Sequence, residues 1–179
     1  MENTQKKHSV KDFLKRKDIE ISARRYGIDA LGAMAQGLFA SLLIGSIIST
    51  LGEQFGLGIL IEIGKYAKEA TGAAMAVAIG YALKCPPLVL FSLIAVGGAS
   101  NALGGAGGPL AVLGVAIIAS EFGKAGSKET KLDIIVTPSV TIIIGVLLSM
   151  WWAPAIGTAA NAVGSAIMWA TELQPFFMG

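Results

Sequence analysis

The chain has 179 residues, 54% of them apolar and 15% charged, with a net charge of +2. A soluble domain carries about 25% charged residues, so this composition excludes an ordinary soluble fold and points to an all-α integral membrane protein. The near-balanced charge gives no reason to expect a nucleic-acid partner, and the lone Cys85 and lone His8 can build neither an internal disulfide nor a metal site; no cofactor is expected.

Residues 1–27 are polar and basic, with no apolar run of the kind a signal peptide needs. Ser9 and Asp12 have capping-box spacing, and Phe13 and Leu14 sit among Lys11, Lys15, Arg16 and Lys17. The pattern suits a short basic helix at an anionic membrane surface, or a solubilising tail. Residues 28–51 form the cleanest membrane span, since about 20 apolar residues cross the hydrocarbon. Along it Gly37, Ser41, Gly45 and Ser49 recur every four residues, a strip of small side chains against which another helix backbone can approach closely.

Residues 57–83 are a second span with a charged first half, where Glu62, Lys65 and Glu69 fall at helical pairing distance. The uncharged residues 70–83 reach only about 21 Å, so this helix is expected to project from the membrane or to bend near Gly72. Pro86 and Pro87 end it. Residues 88–103 and 110–122 are two shorter apolar segments separated by Gly104-Gly105-Ala106-Gly107-Gly108-Pro109, a strong break. They read as two spans or as a re-entrant hairpin. Residues 133–152 are a fifth span ending at Trp151 and Trp152, an interfacial aromatic pair. Residues 153–179 read as an amphipathic surface helix followed by the start of a further segment, with Ile156, Ala160, Val163, Ile167 and Ala170 on one face.

The basic residues divide unevenly. Eight Lys and Arg lie in residues 1–27, Lys84 adds one, and Lys124, Lys128 and Lys131 add three; only Lys65 and Lys68 fall elsewhere. Five crossings put the larger group on one side, which the positive-inside rule makes the cytoplasm, with the N-terminus there.

Four runs resemble one family: Arg25-Tyr26-Gly27-Ile28-Asp29-Ala30-Leu31-Gly32-Ala33-Met34-Ala35, Lys84-Cys85-Pro86-Pro87-Leu88-Val89-Leu90-Phe91, Ser120-Glu121-Phe122-Gly123-Lys124 with the stretch from Ser127 to Pro138, and Trp169-Ala170-Thr171-Glu172-Leu173-Gln174-Pro175-Phe176. They are similar to the sugar-specific IIC subunit of the bacterial phosphotransferase system, including perfringolysin-regulator-type members. The resemblance implies a multi-pass protein of the bacterial cytoplasmic membrane, one half of an inverted-repeat transporter-like fold. Members are about twice this length, so the chain resembles their N-terminal half. A half with an odd number of crossings forces an inverted second half, which implies pairing with a second half or a homo-oligomer. IIC subunits commonly carry an intramembrane histidine, but here the only one is His8 in the basic tail. Cys85 before two prolines has no likeness to the phosphocysteine of a IIB domain.

Four residues stand out as candidates for holding a small polar solute such as a sugar. Glu172 and Gln174 offer a carboxylate and an amide near a helix end. Asn101 lies beside the glycine break, where backbone groups freed at membrane depth must find partners. Glu121 lies in an apolar stretch, where an ionisable group is costly unless paired; Lys124 and Lys84 are its expected partners, and Arg25 with Asp29 is an expected pair at a helix start. No nucleophile–base pair, paired carboxylate or phosphate loop marks a self-contained enzyme. Two functions fit: a solute-translocating membrane protein, or a transporter-derived sensor or regulator. A third idea is pairing with another half through the Gly37/Ser41/Gly45 strip.

Overall fold

A computed structural model describes residues 12–19, 22–127 and 132–173 of the chain, the side chains of 170–173 excepted. Among them are six helices beyond a short helical turn at 12–16: α1 (Arg25–Phe55), α2 (Gly58–Glu69), α3 (Thr71–Ala82), α4 (Pro87–Gly104), α5 (Gly108–Gly126) and α6 (Asp133–Leu173). Three stretches are long and apolar enough to cross a membrane: Arg25–Phe55, Pro87–Gly126 and Asp133–Trp169, with Thr71–Ala82 a shorter apolar helix.

α1 carries two π-helical stretches, Arg25–Ala30 and Phe39–Leu43. It ends at Gly56, whose φ of 66° is a left-handed cap that glycine adopts without steric cost. The chain then doubles back. α2 lies along the second half of α1, and α3 along its first half. The single helix expected over 57–83 is therefore two, and the expected bend falls at Ala70, where the Thr71 hydroxyl donates to the carbonyl of Lys68 at 2.6 Å.

The strip on α1 faces these helices. Gly37, Ser41, Gly45 and Ser49 are all buried. A Cβ at Gly37 would stand 2.6 Å from the Ala74 carbonyl oxygen, and one at Gly45 would stand 2.8 Å from that of Gly64. The surface considered for pairing with another half is thus occupied by α2 and α3 of the same chain.

The Pro87–Gly126 stretch is folded in two. Gly105–Gly107 forms a 3₁₀ turn, and the φ of 49° at Gly105 lets α5 return antiparallel to α4. With 18 and 19 residues, each arm spans about 28 Å, close to the hydrocarbon thickness. α6 runs parallel to α4 and antiparallel to α5 and packs on both. On α4, Val96, Ser100 and Gly104 meet Gly145, Ser149 and Ala153 in turn, and the two serine hydroxyls lie 2.7 Å apart. Met75, Ile79, Leu83, Leu93, Val96, Val112 and Val115 close the core among α3, α4 and α5.

α6 differs most from expectation. The span over 133–152 and the surface helix from 153 are one 41-residue helix, about 61 Å long, with Pro138 and Pro154 inside it. Proline's φ is already helical; each proline removes one backbone hydrogen bond and crowds the carbonyl four residues before it, yet the helix continues through both. Beyond Gly157, which packs on Gly104, the helix leaves the bundle. Val163, Ile167, Met168 and Trp169 are exposed there.

Candidate functional site

The antiparallel order puts the starts of α1, α4 and α6 and the ends of α3 and α5 at one end of the bundle, with the 12–19 segment against them. Two facing helix ends there share one geometry. At the end of α3 the Lys84 N–H donates to the Tyr81 carbonyl and the Cys85 N–H to that of Gly80. In the 12–19 segment the Asp18 N–H donates to Lys15 and the Ile19 N–H to Leu14. Both are Schellman caps, whose left-handed residue is usually glycine. Here it is Lys84, at φ 56°, and Asp18, at φ 52°; no other non-glycine among the described residues has positive φ.

Helix C-termini carry unpaired carbonyls and partial negative charge, and cations are stabilised beside them. Three basic side chains take that position. Arg25 Nη2 donates to the Leu83 carbonyl at 2.8 Å and to Asp18 Oδ2 at 2.9 Å. Lys124, only 1% exposed, donates from Nζ to the carbonyls of Asp18 at 3.0 Å and Leu83 at 3.2 Å, and lies 2.9 Å from Glu121 Oε2. Lys17 Nζ donates to the Ser127 carbonyl at the end of α5. The other Glu121 oxygen accepts from Tyr26 Oη at 3.1 Å. A lysine ammonium has three donors; Lys124 gives two hydrogen bonds to carbonyls and has the Glu121 carboxylate beside it as an ion pair. That set offsets the desolvation of its charge.

The guanidinium of Arg25 holds the Asp18 carboxyl below its usual value of 3.8. Burial pushes the Cys85 thiol up, which makes it a poor nucleophile. Among the described residues no group of His, Cys, Asp or Glu is placed to hold a metal ion.

Of the expected partners of Glu121, the structure supplies Lys124 rather than Lys84. The partner it supplies for Arg25 is Asp18, not Asp29, because the 12–19 segment folds back onto the bundle. Asn101 is half-buried at the other end of the α4–α5 hairpin, and its side chain lies against the backbone of Gly108, where a Cβ would stand 2.6 Å from Oδ1. Twenty residues separate it from Glu121, and after the turn α5 climbs about 20 Å to reach the carboxylate. Glu172 lies in the last turn of α6, on the part that has left the bundle. Gln174 falls outside the described residues. Among the described residues Asn101 and Glu121 therefore lie at opposite ends of the α4–α5 hairpin, apart from the α6 turn that holds Glu172. The groups that do converge beside Glu121, namely Tyr26, Asp18 and the Leu83 carbonyl, were not among the sequence candidates. The signal for them was the clustering of Lys84, Lys124 and the basic N-terminus on one side.

A family model described as Phosphotransferase system, EIIC matches residues 28–179, most of the chain. No curated protein and no solved structure gives a significant match.

Proposed function

The chain belongs to the EIIC family of the phosphotransferase system, and we propose on that premise that it binds a small polar solute, a sugar, for passage across the bacterial cytoplasmic membrane. It is a multi-pass membrane protein of transporter type. The observation that carries the sugar reading is the family match over residues 28–179.

Five crossings, with α2 and α3 counted as one, fit the alternating directions of the helices, and the positive-inside rule supports a cytoplasmic side for the ion cluster. An inverted second half, or a second copy, would then cover the apolar surface that α6 exposes beyond Gly157. Asn101 at the hairpin break and Glu172 and Gln174 near the α6 end are the proposed solute contacts. Glu121 serves instead as the fixed counter-charge of Lys124.

A second reading, a transporter-derived sensor that does not translocate, is favoured by the same ion cluster. Lys124, Arg25 and Lys17 tie the N-terminal segment, the α3–α4 turn and the α5 end together at the face where solute would be released. Calorimetric titration of the purified protein with a panel of hexoses, disaccharides and polyols separates the two. Saturable binding that Glu172→Gln and Asn101→Ala both weaken supports translocation. Absence of binding across the panel overturns it in favour of the sensor.

A further inference from the structure

Next to the ion cluster is an open cleft of about 400 Å³, lined by Arg16, Lys17, Asp18, Lys84, Pro86, Lys124 and Ser127. Among the described residues its lining carries four cations and one carboxylate. The carboxylate of Asp18 is paired with Arg25 and the ammonium of Lys124 with Glu121, so these charges are compensated inside the protein. Arg16 and Lys84 are exposed and line the cleft from different elements, the 12–19 segment and the α3–α4 turn.

Lys84 sits there at a conformational cost. The left-handed cap that it fills would be met more easily by glycine. An outlier of this kind in a lined cleft points to a use for the side chain. The surroundings indicate which. The cleft lies at the rim of the apolar bundle. One turn inside α4 and one turn before the end of α5, Phe91 and Phe122 expose 64% and 52% of their surface. A ligand with a compact anionic head and an apolar tail matches both the charge and this rim. Basic pockets between membrane helices on the cytoplasmic side suit the phosphate of anionic lipids.

We propose that the cleft between the 12–19 segment and the α3–α4 turn binds the headgroup phosphate of an anionic phospholipid, with Lys84 and Arg16 as its ligands and the acyl chains along the apolar rim. The lipid bridges the N-terminal segment to the bundle. The proposal needs the cleft to face an anionic leaflet but is independent of whether the protein carries sugar.

The test uses the purified full-length chain in neutral detergent. Its thermal midpoint is followed during titration with dioleoylphosphatidylglycerol, with dioleoylphosphatidylcholine, and with inorganic phosphate. The expected result is a saturable rise with phosphatidylglycerol alone, with an apparent affinity about fivefold weaker for each cation removed in Lys84→Gly, Arg16→Gln and the double variant. Lys84→Gly relieves the left-handed strain, so its lipid-free midpoint stays level or rises, which separates lost binding from lost folding. Equal rises with both lipids, or an unchanged affinity for phosphatidylglycerol in the double variant, would overturn the proposal. So would a matching rise with inorganic phosphate, which would make the cleft a free-phosphate site.

Discussion

The Lys124 ammonium meets two main-chain carbonyls and one carboxylate in an environment almost closed to water. Removing one member of such a set leaves the others desolvated and unpaired, which costs about 3–5 kcal/mol. Lys124→Met is therefore expected to lower the thermal midpoint sharply, because it strands the Glu121 carboxylate and takes the donor from the Asp18 carbonyl, while the Leu83 carbonyl keeps Arg25. Adding Glu121→Leu should recover part of that loss, since a buried pair exchanged for apolar groups is often neutral. A double-mutant cycle on detergent-solubilised protein checks this; additive losses would refute the coupling. Asp18 gives a pH dependence of definite sign. Its carboxyl is held below the usual 3.8 by Arg25. Its contribution is present in full above that usual value and is lost as the pH falls through the lowered folded one. Docking of the 12–19 segment, read by amide hydrogen exchange at each pH and corrected for the intrinsic rate, should be constant from neutrality to about pH 5 and decline below 4. Asp18→Asn should flatten that decline. At 52% exposure the pair is screened by solvent, so the decline is gradual.

Helix contacts in this protein depend on missing side chains. At Gly97 a Cβ would stand against the Gly72 backbone carbonyl and the Ala76 Cβ, whereas at the adjacent Gly98 it meets nothing within 4 Å. Gly97→Ala must push α3 and α4 apart, an overpacking expected to cost about 1–3 kcal/mol. Gly98→Ala should be neutral or gain up to about 1 kcal/mol from helix propensity. Midpoints measured side by side test this, and equal effects would show that the α3–α4 contact is looser than described. The same logic explains which elements were legible beforehand. The four-residue strip on α1 marked a close contact, because small side chains at that spacing have few other uses in a bilayer. The glycine run at 104–108 marked a turn for an equally local reason. The division of residues 133–173 failed because it rested on Trp152 and on a weakening apolar pattern, and neither breaks a backbone. Pro154 might have been expected to do so, yet its ring suits helical φ, and the Thr158 hydroxyl donates to its carbonyl at 3.1 Å.

For the molecule as a whole, lysine counting grouped the 12–19 segment, the Lys84 turn and the end of α5, which the fold brings to one end of the bundle. It could not show that those segments touch. The contacts of Asp18 with Lys124 and of Lys17 with Ser127 span more than a hundred residues and depend on the chain reversing at every turn. Sequence spacing carries no trace of them, which is why Arg25 was matched to its helical neighbour Asp29 instead. The folded order makes sidedness testable. If α1, the α2–α3 pair, α4, α5 and α6 each cross once, Ser127 faces the cytoplasm and Ala106, at the α4–α5 turn, faces outward. Cys85 is the only cysteine in the chain and is half-buried, so a Cys85→Ser background removes the one competing thiol. In that background Leu132→Cys, at an exposed position beside the start of α6 and at the same end of the bundle as Ser127, should react with a membrane-impermeant maleimide only in inside-out vesicles, and Ala106→Cys only in intact cells. Labelling of both from one side would place α4 and α5 in a re-entrant hairpin, whose turn stops short of the far leaflet. The directions of α4 and α6 are parallel in either case, so that outcome would change the number of crossings without disturbing the packing that builds the ion cluster.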